Sequence, residues 1–347
     1  MKLDEIINGK DKFKVVYLGG SITEGAGASS VDTCYASLTS KWLEERYPNV
    51  KIESVNAGIG GTPSSFGMCR CKRDVLSHNP DMVFVEFAVN DSGITRPELS
   101  GLYMESIVRQ LLSFNKDIKI VFLFTIHLPM IKDYNNGKIP VSIISHTKVA
   151  RYYNIPIINV GGYLRESFLS SSEEVTDYLG DTCHPCDAGY EIYTRHIKNT
   201  LPYLDFNIEN KAEPLFEKEY TKPQMINAAE SFKGDFKIST EGRLNRFDSF
   251  IYSDIPGDKI TYEFDGSYIG LYISHESDGG TLEYSIDGGE KRKINCRDHR
   301  EWGDRVDATT LCAELKDGHH VLEAEIIAEK DEKPGRYCIR IGAFLTA

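Results

Sequence analysis

The chain has 347 residues, a length that suits about two hydrophobic cores. Asp and Glu outnumber Lys and Arg by 52 to 40, a formal charge of −12, so the basic footprint of a nucleic-acid or anionic-membrane binder is absent from the sequence. The opening MKLDEIINGKDKFK lacks the roughly 7–15-residue apolar core of a secretory signal, and no later stretch runs to ~18 apolar residues, which sets the expectation of a soluble, cytoplasmic protein.

In chain order, residues 14–18, 51–55, 82–87, 119–126 and 155–160 are short runs rich in Val, Ile and Phe that predict strands. Amphipathic stretches separate them. Residues 34–47 place Leu38 and Trp42 four apart, and residues 102–114 place Ile107, Leu111 and Phe114 on one face. Strand and helix alternating five times predict a parallel sheet with helices on both faces and ligands at the carboxyl ends of its strands.

The first strand runs into Gly19-Gly20-Ser21. A phosphate cradle fails there, because Gly20 and Gly25 have P-loop spacing but Ala26 stands where the lysine belongs, and the dinucleotide Gly-x-Gly-x-x-Gly pattern is not completed. A serine nucleophile remains. It needs a base, an orienting acid and oxyanion donors at the same sheet edge. The second strand ends in Asn56-Ala57-Gly58-Ile59-Gly60-Gly61-Thr62, whose bare amides can approach a substrate oxygen, and the third ends in Ala88-Val89-Asn90-Asp91, whose Asn90 amide donates without carrying charge. Before the last helix, residues 188–201, stands Asp181-Thr182-Cys183-His184-Pro185. In this reading Ser21 attacks, His184 acts as base and then acid, and Asp181 fixes the imidazole tautomer and stabilises the imidazolium.

Taken singly these residues say less: Ser21 suits a helix N-cap, Asn90-Asp91 a turn, the glycines a sharp bend, and Asp181 a helix entry. Their order at successive strand ends is what favours chemistry. The eight cysteines suit a reducing compartment and free thiols. Cys69-x-Cys71 and Cys183-x-x-Cys186 lack the paired spacing of a zinc site, and Cys-His-Pro-Cys falls after the fifth strand, not where a thiol redox motif opens its domain. Cys183, beside His184, is expected to be a reactive thiol.

Residues 205–224 are charged and punctuated by Pro214 and Pro223, as in a linker. Beyond it the period becomes two: Ile269, Leu271 and Ile273 alternate with Tyr268, Gly270 and Tyr272, and Leu282, Tyr284 and Ile286 repeat the pattern. Asp278-Gly279-Gly280, Asp287-Gly288-Gly289 and Asp317-Gly318 supply turns. These features predict an antiparallel β-sandwich, jelly-roll-like, over residues 225–347, after an α/β catalytic domain over 1–204 and a linker over 205–224. Trp302, in the charged loop 297–305, has two readings, a sugar-stacking ring or a plug closing one end of the sandwich core, and the second is favoured because tryptophan is mostly buried.

The blocks Gly20-Ser21, Asn56-Ala57-Gly58-Ile59-Gly60-Gly61, Val89-Asn90-Asp91 and Asp181-x-x-His184-Pro185 together resemble the SGNH hydrolases, the GDSL-type esterases and acylhydrolases, over roughly residues 10–202. The resemblance implies a flavodoxin-like three-layer domain with strand order 2-1-3-4-5 and an oxyanion hole made by the Ser21 amide, a glycine amide and the Asn90 side chain. The glycine role falls on Gly61, with Gly60 the near alternative. Gly20 stands where the family name has an aspartate, and Ile22-Thr23 replaces the leucine region. The sandwich, most clearly Leu282-Glu283-Tyr284-Ser285-Ile286-Asp287-Gly288-Gly289, looks like the ancillary domains of carbohydrate esterases. The expectation is therefore hydrolysis of O-acyl, foremost O-acetyl, esters of sugars or oligosaccharides, with no metal or organic cofactor. A lipid esterase or thioesterase, a non-catalytic sugar-binding module and an interaction protein are the alternatives. Oligomeric state is not legible, and neither is whether Asp181 or a backbone carbonyl orients His184.

Overall fold

Five apolar runs become five parallel strands because each is too short and too β-branched to do otherwise and is capped by turn residues. They are β1 (Lys12–Gly19), β2 (Lys51–Gly58), β3 (Met82–Glu86), β4 (Lys119–Phe124) and β5 (Ile157–Asn159), in spatial order β2-β1-β3-β4-β5. The expected strand order is the one found. The computed structural model describes all residues except 95, 169–174, 221, 242–243, 245–246, 299–304 and 329–336. Trp302 lies outside the described residues.

Nine helices complete this unit among the described residues: α1 (Leu3–Ile7), α2 (Ser21–Glu24), α3 (Tyr35–Arg46), α4 (Ser64–Asp74), α5 (Pro97–Phe114), α6 (Leu128–Asn135), α7 (Val141–Tyr152), α8 (Val160–Phe168) and α9 (Asp187–Thr200). Parallel crossovers are right-handed, and the step from β1 to β2 runs opposite to the steps from β2 through β5, so α3 covers one face while α4, α5 and α7 cover the other. Accordingly α4 packs on α5 and α5 on α7, and α9 returns beside α3. α5 starts earlier than the periodicity suggests, because Pro97 takes the first helical position, where its missing N–H costs nothing. β5 is shorter than expected because α8 begins at Val160.

Register sets the site. Gly19 pairs with Gly58 on one side and Glu86 on the other, so three strands end level and their following loops converge. Behind them Val15, Val16, Leu18, Val83, Val85 and residues 120–124 are fully buried, which holds those ends rigid.

The chain divides into two units, Met1–Glu219 and Tyr220–Ala347. The charged stretch after α9 is held to the first unit by specific bonds: Phe206 N–H to Met1 O, Glu209 N–H to Tyr153 O, and the Leu215 and Phe216 N–H groups to the buried Glu105 carboxylate.

The second unit is all antiparallel. β6 (Gln224–Asn227), β7 (Lys233–Gly234), β8 (Lys237–Ser239), β9 (Phe250–Ser253), β10 (Lys259–Gly266), β11 (Ile269–His275), β12 (Thr281–Ile286), β13 (Arg292–Asn295), β14 (Arg305–Cys312), β15 (Gly318–Ile327) and β16 (Ile339–Thr346) form two sheets. Their orders are β13-β12-β15-β10-β7 and β14-β11-β16-β9-β8, with β6 also on β16. Ile269, Leu271, Ile273 and Phe344 of one sheet and Leu282, Leu322 and Ile326 of the other form the core between them. The alternation is real, but β11 is buried on both faces: Tyr268 stacks edge-on against Tyr220 and Tyr272 tilts against Phe247. The β12–β13 turn takes positive φ at Asp287 (54°) and Gly288 (65°), the conformation that selects Asp-Gly.

Candidate active site

At the end of β1 the chain turns at Gly20 into α2, whose first residue is Ser21. A Cβ at Gly20 would lie 2.0 Å from Asn90 Oδ1, so the Asn90 amide lies against the peptide that precedes the serine and a larger residue at 20 would require it to shift. Ser21 Oγ and His184 Nε2 are 2.9 Å apart, and His184 Nδ1 and Asp181 Oδ2 are 2.7 Å apart. The residues at 21, 184 and 181 form one hydrogen-bonded series.

The loop carrying His184 is built by its own acid. Asp181 Oδ1 accepts from the Cys183 and His184 N–H groups (2.6 and 2.7 Å), an Asx-type turn that leaves Oδ2 for the ring. Gly180 N–H to His184 O and Cys186 N–H to Tyr178 O close the loop, and a Cβ on Gly27 would lie 2.4 Å from Pro185 O, so the β1–α3 loop seats directly against it. Partial burial works against the Asp181 charge, but the bonds from the His184 ring and the two N–H groups outweigh it and hold the carboxyl below its usual range. Asp181 is 56% exposed at its side chain and His184 25%. The expected reactivity of Cys183 is corrected here: burial first, then the Asp181 and Glu86 carboxylates, push its thiol up to about 11, so it is protonated at neutral pH.

The glycine block is stapled to α2. Asn56 Nδ2 donates to Thr23 O (2.7 Å), Asn56 Oδ1 accepts from Gly58 N–H (2.9 Å), and Glu24 Oε2 accepts from Gly60 N–H (2.7 Å). The amide of Gly60 is therefore committed, while the neighbouring Gly61 is exposed with φ at 70°. Beneath Asn90, the buried Asp91 accepts from Ser64 N–H and Oγ (2.9 and 2.5 Å) and from Ser100 Oγ (2.8 Å), and lies 3.0 Å from His146 Nε2. It anchors the asparagine loop to the starts of α4 and α5.

Four polar residues near these loops escape a reading by motif. Glu24 holds Gly60. His127, at the end of β4, pairs with Ser92 Oγ (3.3 Å), while Leu128 N–H bonds Thr182 O, so this turn bridges the asparagine and histidine loops. Burial, only partly offset by Asp133, lowers the His127 pKa. Arg70 and Glu86 are fully buried under the nucleophile turn. An acid closing an apolar strand, as Glu86 does in MVFVE, was the one signal available. Among the described residues no group of His, Cys, Asp and Glu has the arrangement of a metal site, and all eight cysteines are free.

A serine, an imidazole and a carboxylate in hydrogen-bonded series at the carboxyl edge of a doubly wound sheet are the arrangement with which serine hydrolases carry out acyl transfer. Residues 17–192 match the GDSL-like lipase/acylhydrolase family, half of the chain, and the chain belongs to that family. The fold of both units matches a two-domain esterase active on acetylated mannans, crystallised with mannopentaose. The TM-score is 0.84 at 23% identity, over 99% of this chain and 92% of that one. A second crystal structure of a two-domain esterase active on acetylated mannans gives the same TM-score and identity, over 93% of that chain. An acetylxylan esterase of Geobacillus stearothermophilus is 31% identical in an alignment of 86 residues that covers 22% of this chain. That match spans 39% of the length of the curated relative.

Proposed function

We propose that the protein is a serine esterase that removes O-acyl groups, foremost O-acetyl groups, from carbohydrates. The hydrogen-bonded series Ser21–His184–Asp181 carries this reading. Ser21 Oγ attacks the ester carbonyl while His184 Nε2 takes its proton, and Asp181 holds the Nδ1–H tautomer and the imidazolium that forms. The carbonyl oxygen becomes an oxyanion, received by the Ser21 N–H, the Gly61 N–H and Asn90 Nδ2. His184 then protonates the departing sugar hydroxyl. Water, deprotonated by His184, attacks the acyl-serine; collapse releases the acid and returns the proton to Ser21. That Gly60 N–H is already bound by Glu24 favours Gly61 as the glycine donor.

The choice of a sugar ester leans on the relatives, since the proteins similar to this chain act on acetylated mannans or are acetylxylan esterases by name. The test is hydrolysis of p-nitrophenyl acetate, butyrate and octanoate, with acetate release from acetylated manno- and xylo-oligosaccharides, for the wild type and Ser21→Ala. Acetate preference with sugar deacetylation, and a loss of about 10³-fold or more in kcat in the alanine variant with unchanged melting, is the expected result. Preference for octanoate would move the substrate to lipid or thioester. Full activity in Ser21→Ala would end the serine mechanism.

A further inference from the structure

The turn that carries Ser21 is Gly19-Gly20, two residues with no side chain to restrict them, so the local sequence alone leaves the orientation of the serine amide soft. Yet two fully buried charged side chains end at this turn from opposite sides. Arg70, on α4, donates through Nη2 to Gly19 O (2.9 Å) and through Nη1 to Ala57 O (2.6 Å). Glu86, at the end of β3, accepts from Thr23 Oγ1 (3.1 Å) and from Thr125 Oγ1 (2.6 Å). Gly19 O and Thr23 stand on either side of Ser21 in the chain.

We infer that Arg70 and Glu86 are positioning residues for the nucleophile: Arg70 holds the Gly19 carbonyl before the serine and Glu86 the Thr23 hydroxyl after it, and this clamp fixes the direction of the Ser21 N–H and Oγ. The inference rests on Ser21 as nucleophile and adds to it the means by which the turn is held. Arg70 does more than fill space. Its planar fork spans the ends of β1 and β2, tying the serine turn to the glycine block in one rigid geometry that a lysine ammonium does not reproduce. It is balanced by Asp74 Oδ2 at 3.1 Å and stacks over Phe66. Burying a guanidinium and a carboxyl is costly, and an apolar pair of similar volume would pack the same space at lower cost if stability were all that was at stake. Glu86 also binds the first turn of α2 through Thr23, whose hydroxyl pairs with Tyr35 at 2.8 Å.

Burial raises the Glu86 carboxyl to about 7, opposed by the Thr125 and Thr23 bonds and reinforced by Asp91. The other titratable groups that sense its charge are Tyr35 on α3, Tyr190 and Tyr193 on α9, and Cys183. Its ionisation changes what the clamp can accept. The carboxylate accepts from both hydroxyls with either oxygen free of a proton, whereas the acid must give one acceptor position to its own proton.

The experiment compares Arg70→Met, Arg70→Lys, Glu86→Ala and Glu86→Gln with the wild type by kcat and KM on p-nitrophenyl acetate. In parallel it measures the rate of Ser21 labelling by diisopropyl fluorophosphate, located by mass spectrometry. If the wild type is not labelled at Ser21, the nucleophile assignment itself fails and the clamp falls with it. If it is labelled, Arg70→Met and Glu86→Ala are expected to lower kcat and the labelling rate about 10–100-fold with KM within about threefold, less than the loss of an oxyanion donor because the donor is displaced and not removed. Glu86→Gln, which can still accept from Thr23 Oγ1, should recover most of kcat while its kcat–pH profile loses an ionisation near 7. Arg70→Lys should stay close to Arg70→Met. Wild-type kcat and labelling in Glu86→Ala and Arg70→Lys, or a Glu86→Gln profile superimposable on the wild type, would overturn the inference. Because Gln and Lys are near in size to the residues they replace, these variants keep the test readable if the larger truncations fail to fold.

Discussion

Around the carboxyl ends of β1, β3 and β4 the first unit buries Arg70, Glu86, Asp91 and His146, whereas among the described residues the buried polar residues of the sandwich are serines and threonines with His275 and His320. The sandwich sets many of its opposite charges in exposed pairs such as Lys233–Glu263, Lys259–Glu325 and Lys291–Glu283, and Arg340–Glu276 is a partly buried pair. Dehydrating a charge is expensive, and removing one partner of a buried network costs more than the network returns over an apolar core. The two units therefore show two uses of polarity. In one it fixes loops whose geometry matters to chemistry, and in the other it keeps a surface soluble over a core held by apolar contact.

If that contrast holds, the largest effects on stability in the sandwich come from its apolar core. Phe344 is fully buried and stacks on Tyr262 with ring centroids 3.8 Å apart. Phe344→Ala should destabilise this unit by about 3–5 kcal/mol, read from the midpoint of its urea unfolding. A loss below about 1 kcal/mol would mean that the two sheets are not held by this contact.

In the first unit the corresponding losses fall on turnover. Asn90→Ala removes the side-chain donor that the proposed mechanism directs at the oxyanion, and its expected cost is about 10²–10³ in kcat, with KM little changed. A raised KM with kcat intact would mean that Asn90 binds the ground state and not the transition state.

Asp181 is the softer member because its carboxylate is half in water. Asp181→Asn keeps an acceptor for the Cys183 and His184 N–H groups but presents NH₂ to the imidazole, favouring the wrong tautomer, for a loss of about 10–100-fold in kcat. Its carboxyl lies below the ordinary value in the folded protein. The stabilisation it gives is therefore complete above the unfolded value of about 3.9 and is lost as pH falls through the folded value. The asparagine variant should lack this acid-side decline in an acid titration of unfolding free energy. A decline identical to that of the wild type would assign it to other carboxylates.

The same contrast explains what the sequence discloses and what it withholds. Strands and turn glycines are visible because alternation and Gly-Gly runs report backbone conformation directly; Ser21 and Asn90 are visible because each closely follows a strand, and His184 because Asp181-x-x-His184-Pro185 stands just before a helix. Arg70 is not, since Arg70, Lys72, Arg73 and Asp74 in SSFGMCRCKRD look like a solvated helix face, although residues 64–71 are all buried. Residues 205–219 look like a linker for the same reason, and their bonds to Met1 O, Tyr153 O and the buried Glu105 are not legible because those partners are distant in sequence. Burial of a charge depends on the partner that waits for it, and that partner is distant in sequence.

The smallest effect belongs to the surface pairs, and it is the sharpest check on the comparison. Lys259 and Glu325 are direct cross-strand partners on β10 and β15, with Nζ and Oε2 3.3 Å apart and side chains 64% and 36% exposed. Their attraction acts through water and is shared with salt ions at a Debye length of about 8 Å, while both long side chains lose rotamer freedom to meet. Cross-strand placement sets an upper bound of about 1 kcal/mol. A double-mutant cycle with Lys259→Ala and Glu325→Ala should therefore return a coupling of about 0.2–1 kcal/mol at physiological salt and less at 1 M. A coupling of about 3 kcal/mol or more that survives high salt would place this pair with the buried charges of the first unit. Polarity in the two units would then no longer divide by use.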